Sequence, residues 1–484
     1  MNAPVRRLSM VVAALFASLL VSTTLIQYVF AADLNARPDN RRTLLSTYAR
    51  ERGEILVGQE PVAKSVASDD EYKFQRVYDQ AELYAHVTGY YSFYGSNGGL
   101  EQAENPFLSG SSDKLFYRRV SDLFTGRRAQ GATIETTLDP KVQKAAADAM
   151  KGIRGAAVAL DPKTGAILAM VSQPTFDPNR LAGHDLSAVT KNYDALNKDA
   201  SRPLLNRVIA GDQYPPGSVF KVVTAAAALS SGDYTEDSTL PGPAELDLPQ
   251  TTNTLPNAFD GACGPNDKVS FTRALAISCN TAFASVGLEI GADALRAQAA
   301  KFGFGDALSI PMRVTPSSVP AELDQPQLAY ASIGQYDVRV TPLQMAMVAA
   351  GVGNDGVVMK PYLVQSVIGS DLSVIESTDP SELSQAVTPD VAAQLQRMMV
   401  EVVDNGSGER AAIPGVKVAG KTGTAQHGEG RKAHAWFISF APADDPQIAV
   451  AVIAEDGGVA GSEAGGGRVA APIAKAMMEA RLDR

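Results

Sequence analysis

A single stretch, residues 155–171 (GAAVALDPKTGAILAMV), decides how the larger part of this chain folds. Its two apolar runs, 156–160 and 166–171, flank a polar turn, a pattern typical of a β-hairpin. Two further strand-like runs lie near the end of the chain, at 435–441 and 448–454. The hairpin and the late strands predict one antiparallel sheet with a helical region inserted between them, and therefore an α+β fold.

The residues around these strands carry helical patterns. Asp139 and Pro140 are start signals for a helix over 141–150, just before the hairpin. The helices predicted after the hairpin are 221–229, 271–277, 281–290, 342–350, 389–403 and 471–481. The last of them closes the chain.

The N-terminus carries an uncharged run from Leu8 to Ala32. As a helix it spans ~37 Å, more than the ~30 Å of a bilayer core. It predicts an uncleaved membrane anchor, with a cleaved signal peptide as the alternative. More arginines follow the run than precede it, which opposes the positive-inside rule, but long domains translocate regardless of such charges. We therefore expect the residues after Ala32 on the extracytoplasmic side of the membrane.

These patterns divide the chain into four parts. They are a short cytoplasmic tail (1–7), the transmembrane anchor (8–32), a mixed α+β pedestal resembling a dimerisation domain (33–150) and a catalytic domain (151–484). The pedestal shows no cluster of titratable residues in the sequence. We interpret it as structural or as an interaction module.

Composition excludes several classes of function. The chain has 484 residues, and 43 Lys and Arg against 53 Asp and Glu leave a net charge of −10, which argues against nucleic-acid binding. Two cysteines and four histidines, without a CxxC pair or an HExxH motif, leave almost no ligands for zinc. We predict no metal and no cofactor, and a chemistry that depends on Ser, Thr, Lys, Asn and carboxylates.

Three short strings carry the candidate chemistry. In the first, YPPGSVFK (214–221), Pro and Gly break the chain before an Ala-rich helix, so that Ser218 and Lys221 share one face at its N-terminus. This spacing suits a nucleophile with an adjacent amine base. The second string is Ser278-Cys279-Asn280, and the third is KTGT at 421–424, whose glycine lets a ligand backbone approach a strand closely.

In this order the strings resemble the S-x-x-K, S-D-N and K-T-G signature of penicillin-binding proteins and class A β-lactamases. The resemblance covers about residues 155–484 and includes the segments RPLLNR (202–207) and VTPLQMA (340–346). With its anchor and pedestal, the chain resembles class B penicillin-binding proteins. The residues of its YPPGS and SCN motifs resemble those of the actinobacterial members. Cys279 departs from the commoner Asp, while the flanking Ser278 and Asn280 match the motif.

The resemblance implies an antiparallel sheet with helices on both faces and a helical subdomain. It also implies a peptidoglycan D,D-transpeptidase that cross-links stem peptides through a serine acyl-enzyme and is inhibited covalently by β-lactams. The implied catalytic residues are Ser218, Lys221, Ser278, Asn280 and Lys421, and the implied substrate-binding residues are Thr422, Gly423 and Thr424. A polytopic lipid-II polymerase partner and a single-pass location in the cell membrane follow from the family as well.

Other functions remain as alternatives. GVKVAGKT (415–422) matches the P-loop pattern, but the glycines after it do not favour the helix that a P-loop requires. A β-lactamase would use a deacylating glutamate, and no E-x-x-L-N segment is present. A penicillin-recognising sensor or scaffold without cross-linking activity is the third alternative. A Ser-His-Asp hydrolase lacks its G-x-S-x-G elbow.

The remaining titratable residues near the third string are interpreted as structural. We expect His427 and His434 at the surface or at the rim of a groove, with a substrate contact from His427 as the alternative, and Glu455, Asp456 and Glu463 in solvent. The two cysteines, Cys263 and Cys279, suggest a disulfide that braces the second string, with two free thiols as the alternative.

Overall fold

The structure, a computed structural model, describes residues 3–30, 34, 48–92, 98–116, 124, 130–428, 430–458 and 465–483. In chain order, the strands among these residues are β1 (Ile55–Val57), β2 (Glu60–Ala67), β3 (Phe74–Tyr78), β4 (Thr133–Thr136), β5 (Gly155–Leu160), β6 (Ile167–Gln173), β7 (Thr239–Pro241), β8 (Glu245–Asp247), β9 (Thr254–Pro256), β10 (Lys268–Ser270), β11 (Val357–Met359), β12 (Val364–Ile368), β13 (Val374–Ser377), β14 (Glu382–Gln385), β15 (Ala419–Ala425), β16 (His434–Ala441) and β17 (Ile448–Ala454). The α-helices are α1 (Ala3–Thr24), α2 (Ala81–Thr88), α3 (Gly99–Ala103), α4 (Asn105–Leu108), α5 (Pro140–Ala149), α6 (Asn179–Ala182), α7 (Leu186–Lys198), α8 (Lys221–Ser231), α9 (Phe271–Ala276), α10 (Asn280–Lys301), α11 (Gln325–Ala331), α12 (Pro342–Gly353), α13 (Pro389–Asp404) and α14 (Gly466–Arg481).

The predicted antiparallel sheet is present, with its strands in the order β15-β16-β17-β5-β6. Alternate side chains of β17 belong to two different apolar cores, Val450 and Val452 to one and Ala449 and Ala451 to the other. Because successive side chains of a strand point to opposite faces, the sheet is covered on both sides. This explains why the late strands are continuous apolar runs rather than alternating ones.

Helices cover both faces of this sheet, as predicted. On one face α14 and α5 contribute Val469 and Val142 to the core that contains Val450. On the other face α12 contributes Leu343 and Met347. The prediction of an α+β fold with a covered antiparallel sheet is confirmed.

The inserted region is helical where the sequence predicts it, in α8, α9, α10, α12 and α13. Asp139 caps α5 by accepting hydrogen bonds from the amides of the next turn, which confirms it as the start signal. Two boundaries differ from the prediction. Helix α10 continues to Lys301 past a break at Gly291, whose φ is +82°, and α14 begins at Gly466 rather than at 471.

A second sheet forms the pedestal, in the order β13-β12-β4-β1-β2-β3. Strand β4 pairs in parallel with β1 and antiparallel with β12. The outer strands β12 and β13 come from residues 364–377, inside the predicted catalytic domain. The pedestal sheet is therefore completed by a distant part of the chain.

The pedestal core contains an ion-pair cluster that the sequence analysis missed. Glu101 is fully buried, and its carboxylate accepts hydrogen bonds from Arg52 Nε at 2.5 Å and Arg76 Nε at 2.6 Å. Burial alone would raise the pKa of Glu101, but the two guanidinium charges outweigh it and hold the pKa below its ordinary value. The expectation of a pedestal without a titratable cluster is wrong, because these partners are brought together only by folding.

Glu101→Gln is expected to destabilise the protein by about 3–5 kcal/mol, because it leaves two buried arginines without a counter-charge. The measurement is denaturant unfolding of the full chain in detergent. Glu60→Gln, on the exposed start of β2, is the matched control and should stay within about 0.5 kcal/mol of wild type. Equal stability of the two variants would contradict the prediction.

The N-terminal helix runs from Ala3 to Val29, its last turn in π-helical geometry, and none of its residues is buried. It has a mean hydropathy of 2.1 and is long and apolar enough to cross a membrane. Residues 31 and 32 of the predicted anchor lie outside the described residues.

Candidate active site

Ser218 lies in the 3₁₀ turn Gly217–Phe220 that leads into α8. Gly217 has a φ of +55°, and a Cβ at this position would lie 2.6 Å from the Thr424 carbonyl oxygen. The turn thus requires glycine, both for its conformation and for its close approach to β15. The predicted break before the helix is present, and it places Ser218 in the cleft described below.

Lys221, at the start of α8, has a completely buried side chain. Its Nζ donates hydrogen bonds to the Ser278 carbonyl oxygen and to Asn280 Oδ1, each at 2.7 Å, and Ser278 Oγ lies at 3.3 Å. Burial and the charge of Lys421 hold the pKa of Lys221 well below its ordinary value. No carboxylate contacts this amine within the described part of the chain.

The second string forms a tight loop between α9 and α10. Ser278 has a φ of +62°, a left-handed conformation that costs a residue other than glycine on the order of 1 kcal/mol. Cys279 next to it is bonded to Cys263, so the predicted disulfide is present in the structure. The bond ties the loop to the preceding insert, residues 239–270, which contains strands β7 to β10.

The third string lies on β15, at the edge of the sheet. Lys421 Nζ donates to the Thr422 carbonyl oxygen at 2.9 Å, and burial lowers the pKa of Lys421 to about 7. Thr422 Oγ1 lies 2.6 Å from Ser407 Oγ. Gly423 packs against the Ser218 turn, since a Cβ there would lie 3.0 Å from Val219 Cγ1.

The three strings meet in one cleft of about 960 Å³, a volume that suits a small peptide or drug-sized ligand. The predicted site residues that line it are Ser218, Ser278, Asn280, Thr422, Gly423 and Thr424. Lys221 and Lys421 are buried behind this lining. All eight predicted catalytic and substrate-binding residues thus lie in or directly behind one cleft.

The P-loop alternative does not agree with this geometry. A P-loop lysine and threonine must open a helix whose first amides face phosphate. Here Lys421 and Thr422 lie in the middle of β15, paired in register with Ile438 and Phe437 of β16.

The expected positions of Glu455 in solvent and of His434 at the surface or a groove rim are wrong. Glu455 is buried rather than solvated, and it binds Arg154, Arg207 and Tyr214. His434 is buried as well, and its ring stacks on that of His427, whose side chain is 10% exposed. Each misjudged residue is surrounded by partners from other elements of the fold.

Asp456 and Glu463 were also expected in solvent. Asp456 has a half-exposed side chain, and one of its carboxylate oxygens lies 2.9 Å from His427 Nε2. Glu463 lies outside the described residues.

The two histidines and Asp456 bring three metal-ligating atoms within 4.8 Å of one another. However, the two imidazole rings lie parallel, at an interplanar angle of 6° and a centroid separation of 3.6 Å. A metal ion must lie close to the plane of each imidazole that binds it, and two parallel planes do not meet. The arrangement is a stacked pair of rings rather than a metal centre.

Two residues of the site escaped the sequence analysis. Ser407 contacts Thr422, and Asn257 contacts Asn280 through a 3.0 Å hydrogen bond. Both lie in polar turns, and their sequence context carries no motif. The one local signal is the turn-forming pair Asn405-Gly406, which predicts that Ser407 lies in a loop.

Residues 155–479 match the family model described as Penicillin binding protein transpeptidase domain. The chain belongs to the penicillin-binding proteins. A second family model, Penicillin binding protein A dimerisation domain, matches residues 52–134 of this penicillin-binding protein.

Individual relatives agree over the whole length. The chain is 47% identical to peptidoglycan D,D-transpeptidase PbpA of Mycolicibacterium smegmatis, with 100% of this chain and 99% of the relative covered. It is 45% identical to PbpA of Mycobacterium tuberculosis with the same coverage. It also matches the structure of penicillin-binding protein A from M. tuberculosis as an imipenem acyl-enzyme complex, with a TM-score of 0.86, 44% identity and coverage of 90% of this chain and 100% of that chain.

These findings confirm the predicted resemblance to class B penicillin-binding proteins and to their actinobacterial members. They also confirm the predicted enzyme class, that of a peptidoglycan D,D-transpeptidase with a serine acyl-enzyme. The N-terminal helix is consistent with a membrane-bound member of this family.

Proposed function

We propose that Ser218 is the nucleophile of this penicillin-binding protein and that Lys221 is its general base. The hydrogen bonds of Lys221 carry the proposal. A neutral amine has two N–H bonds and one lone pair, and the two acceptors at 2.7 Å use both N–H bonds. The lone pair is thereby left to accept a hydroxyl proton, and we assign it the proton of Ser218, although Ser278 Oγ also lies within 3.3 Å of the amine. The lowered pKa of Lys221 supports the neutral form at physiological pH.

In the first half of the reaction, Ser218 Oγ attacks the carbonyl carbon of the penultimate D-Ala of a stem peptide while Lys221 accepts its proton. The backbone N–H groups of Ser218 and Thr424 stabilise the oxyanion, and loss of one such donor costs about 3–4 kcal/mol in other serine enzymes. Ser278, 3.3 Å from Lys221, relays the proton to the amine of the departing D-Ala. The C–N bond breaks, and an acyl-serine ester remains.

In the second half, the amine of another stem peptide attacks the ester. The proton of that amine returns through Lys221 to Ser218, and a new amide bond forms the cross-link. A β-lactam enters the first half in the same way, and its opened ring stays attached to Ser218.

The β15 edge is proposed to bind the terminal carboxylate of the donor peptide. Thr422 and Thr424 offer hydroxyl groups, and Lys421 supplies positive potential from behind the strand. The hydrogen bond of Ser407 to Thr422 orients the first of these hydroxyls. Gly423 lets β15 pack closely against the Ser218 turn, and both line the cleft.

We further propose that the enzyme crosses the membrane once, with residues after the anchor on the outer side. The 27-residue helix Ala3–Val29 measures ~40 Å, enough for the ~30 Å hydrocarbon core. The division into tail (1–7), anchor (8–32), pedestal (33–150) and catalytic domain (151–484) belongs to this proposal. We also propose a polytopic lipid-II polymerase as partner. It would supply the glycan strands that this enzyme cross-links.

A donor stem peptide ending in D-Ala-D-Ala tests this function, with and without an amine acceptor. We expect D-Ala release, and a cross-linked product when the acceptor is present. Release with hydrolysis only would indicate a carboxypeptidase, and rapid turnover of nitrocefin would indicate a β-lactamase. Stable penicillin binding without D-Ala release would favour the sensor or scaffold. Each of these three results contradicts the proposed cross-linking reaction, whereas variants of Ser218 and Lys221 test the roles of those two residues.

The rate constant for acylation by penicillin should follow a bell-shaped curve against pH. It rises with increasing pH as Lys221 loses its proton, and this limb lies below the ordinary lysine range because burial and the charge of Lys421 lower the pKa of Lys221. It falls as the pH passes about 7, because Lys421, with a pKa of about 7, loses the charge that attracts the ligand carboxylate. The measurement is acylation by a fluorescent penicillin from about pH 5 to about pH 9.

Lys421→Arg is the control for the alkaline limb, because arginine stays charged throughout this range. Its rate should no longer fall above neutral pH. A wild-type rate that keeps rising across the alkaline range would contradict the assignment of Lys421.

A further inference from the structure

The side chain of Asn280 is held in one orientation by the insert before the second string. Its Nδ2 donates to the carbonyl oxygen of Pro256, at the end of β9, over 3.1 Å. Its backbone N–H donates to Asn257 Oδ1 over 3.0 Å. Because the amide nitrogen is engaged by Pro256, the amide oxygen is the end that faces Lys221 Nζ at 2.7 Å.

Asn257 is itself fixed at its other end. Its Nδ2 donates to the carbonyl oxygens of Pro243 at 3.0 Å and Gly261 at 3.1 Å. Its Oδ1 also accepts from the backbone N–H of Thr281, at 3.2 Å. The side chain therefore connects two backbone positions of the insert to the first residues of α10.

These contacts supplement a weak side-chain cap at the start of α10. Residue Cys279 occupies the N-cap position, and its sulfur, engaged in the disulfide, lies 3.4 Å from the Ala282 amide. Sulfur is a weak acceptor compared with the oxygens of Ser, Thr, Asp or Asn that usually occupy this position. The strong acceptor for the first amides of α10 comes instead from Asn257, 23 residues before Asn280.

We propose that Asn257 is a positioning residue for Lys221, acting through Asn280. By holding the first turn of α10, it keeps the amide oxygen of Asn280 on the Lys221 amine and the amine lone pair free for Ser218. The inference deepens the proposed function and rests on it, since it presupposes that Lys221 is the base. The insert, residues 239–270, would then help to position the catalytic groups.

The test compares Asn257→Ala with Asn253→Ala in the full chain. Asn253 is an exposed asparagine of the same insert, and its side chain makes no hydrogen bond among the described residues. We expect acylation of Asn257→Ala by a fluorescent penicillin to slow by about 10- to 100-fold, the usual effect of a small misplacement of a reacting group. The acid limb of its pH profile should move, whereas Asn253→Ala should behave as wild type.

Two further variants separate positioning from a general loss of structure. Asn257→Asp keeps an oxygen acceptor for the two α10 amides, so it should acylate faster than Asn257→Ala. Its added negative charge should move the acid limb to higher pH. In an Asn280→Ala background, Asn257→Ala should cause little additional loss, because both changes remove the same interaction.

The inference is overturned if Asn257→Ala slows acylation by the same factor in both backgrounds, or if the Asp and Ala variants acylate equally. It is also overturned if Asn257→Ala keeps the wild-type rate and pH profile. Lys221→Met in the same series tests the proposed function separately. If that variant is inactive while Asn257→Ala is unaffected, only the positioning role fails.

Discussion

Ser218→Ala is expected to form no covalent adduct with a fluorescent penicillin. The adduct requires an oxygen nucleophile in the 3₁₀ turn at the entrance of α8, and alanine supplies none. The turn itself depends on Gly217, whose φ of +55° and close approach to Thr424 are unaffected by the change. The fold should therefore persist while acylation is lost. Gel fluorescence and intact mass of the full chain measure the effect.

Ser187→Ala is the matched control, since Ser187 is an exposed serine at the start of α7, remote in sequence from the three strings. It should be labelled as strongly as wild type. Labelling of Ser218→Ala at the wild-type level would disprove the assignment of the nucleophile. A melting temperature near that of wild type would show that the loss of labelling is chemical.

Lys221→Met is expected to slow acylation by about 10²–10⁴-fold, the usual contribution of a general base. Methionine fills a similar apolar volume but cannot accept the proton of Ser218. It leaves the Ser278 carbonyl and Asn280 Oδ1 without their donor, which costs about 1–3 kcal/mol of stability. The rate constant of acylation and the unfolding midpoint are measured on the same preparation.

Lys221→Arg distinguishes a base from a positive charge. Arginine keeps the charge and the hydrogen-bond donors, but it has no neutral form near physiological pH. If Lys221 acts as a base, the arginine variant should be as slow as the methionine variant. A rate close to wild type would show that Lys221 contributes charge only, and the proposed mechanism would be wrong.

The local patterns of the sequence predicted the elements of the fold well. The apolar runs at 156–160, 435–441 and 448–454 lie in β5, β16 and β17 of one sheet. Such runs can be recognised because strands buried on both faces need apolar side chains at every position. The interval between Ser218 and Lys221 likewise predicted a nucleophile and an amine within one turn of chain, since short-range geometry follows from spacing.

Contacts between distant residues escaped prediction. Glu455 was expected in solvent, yet Arg207, 248 residues before it, binds it in the interior. Glu101 and Arg52 are 49 residues apart and meet only when the pedestal sheet forms. No pattern in a single sequence couples such positions, because either member alone resembles an ordinary surface charge.

The sequence by itself determined the family and the groups that we propose for its chemistry: a serine and a lysine at one helix start, a second serine with an asparagine, and a KTGT strand. It also named the two cysteines that join the second string to the insert. Only the tertiary structure decided the protonation and the orientation of these groups. The pKa of a lysine falls when folding removes water from it and brings a second lysine near, as with Lys221 and Lys421. An asparagine offers its oxygen rather than its nitrogen when a distant backbone carbonyl, here that of Pro256, engages the nitrogen. Protonation and orientation depend on the surroundings that the fold assembles, and sequence spacing does not encode those surroundings.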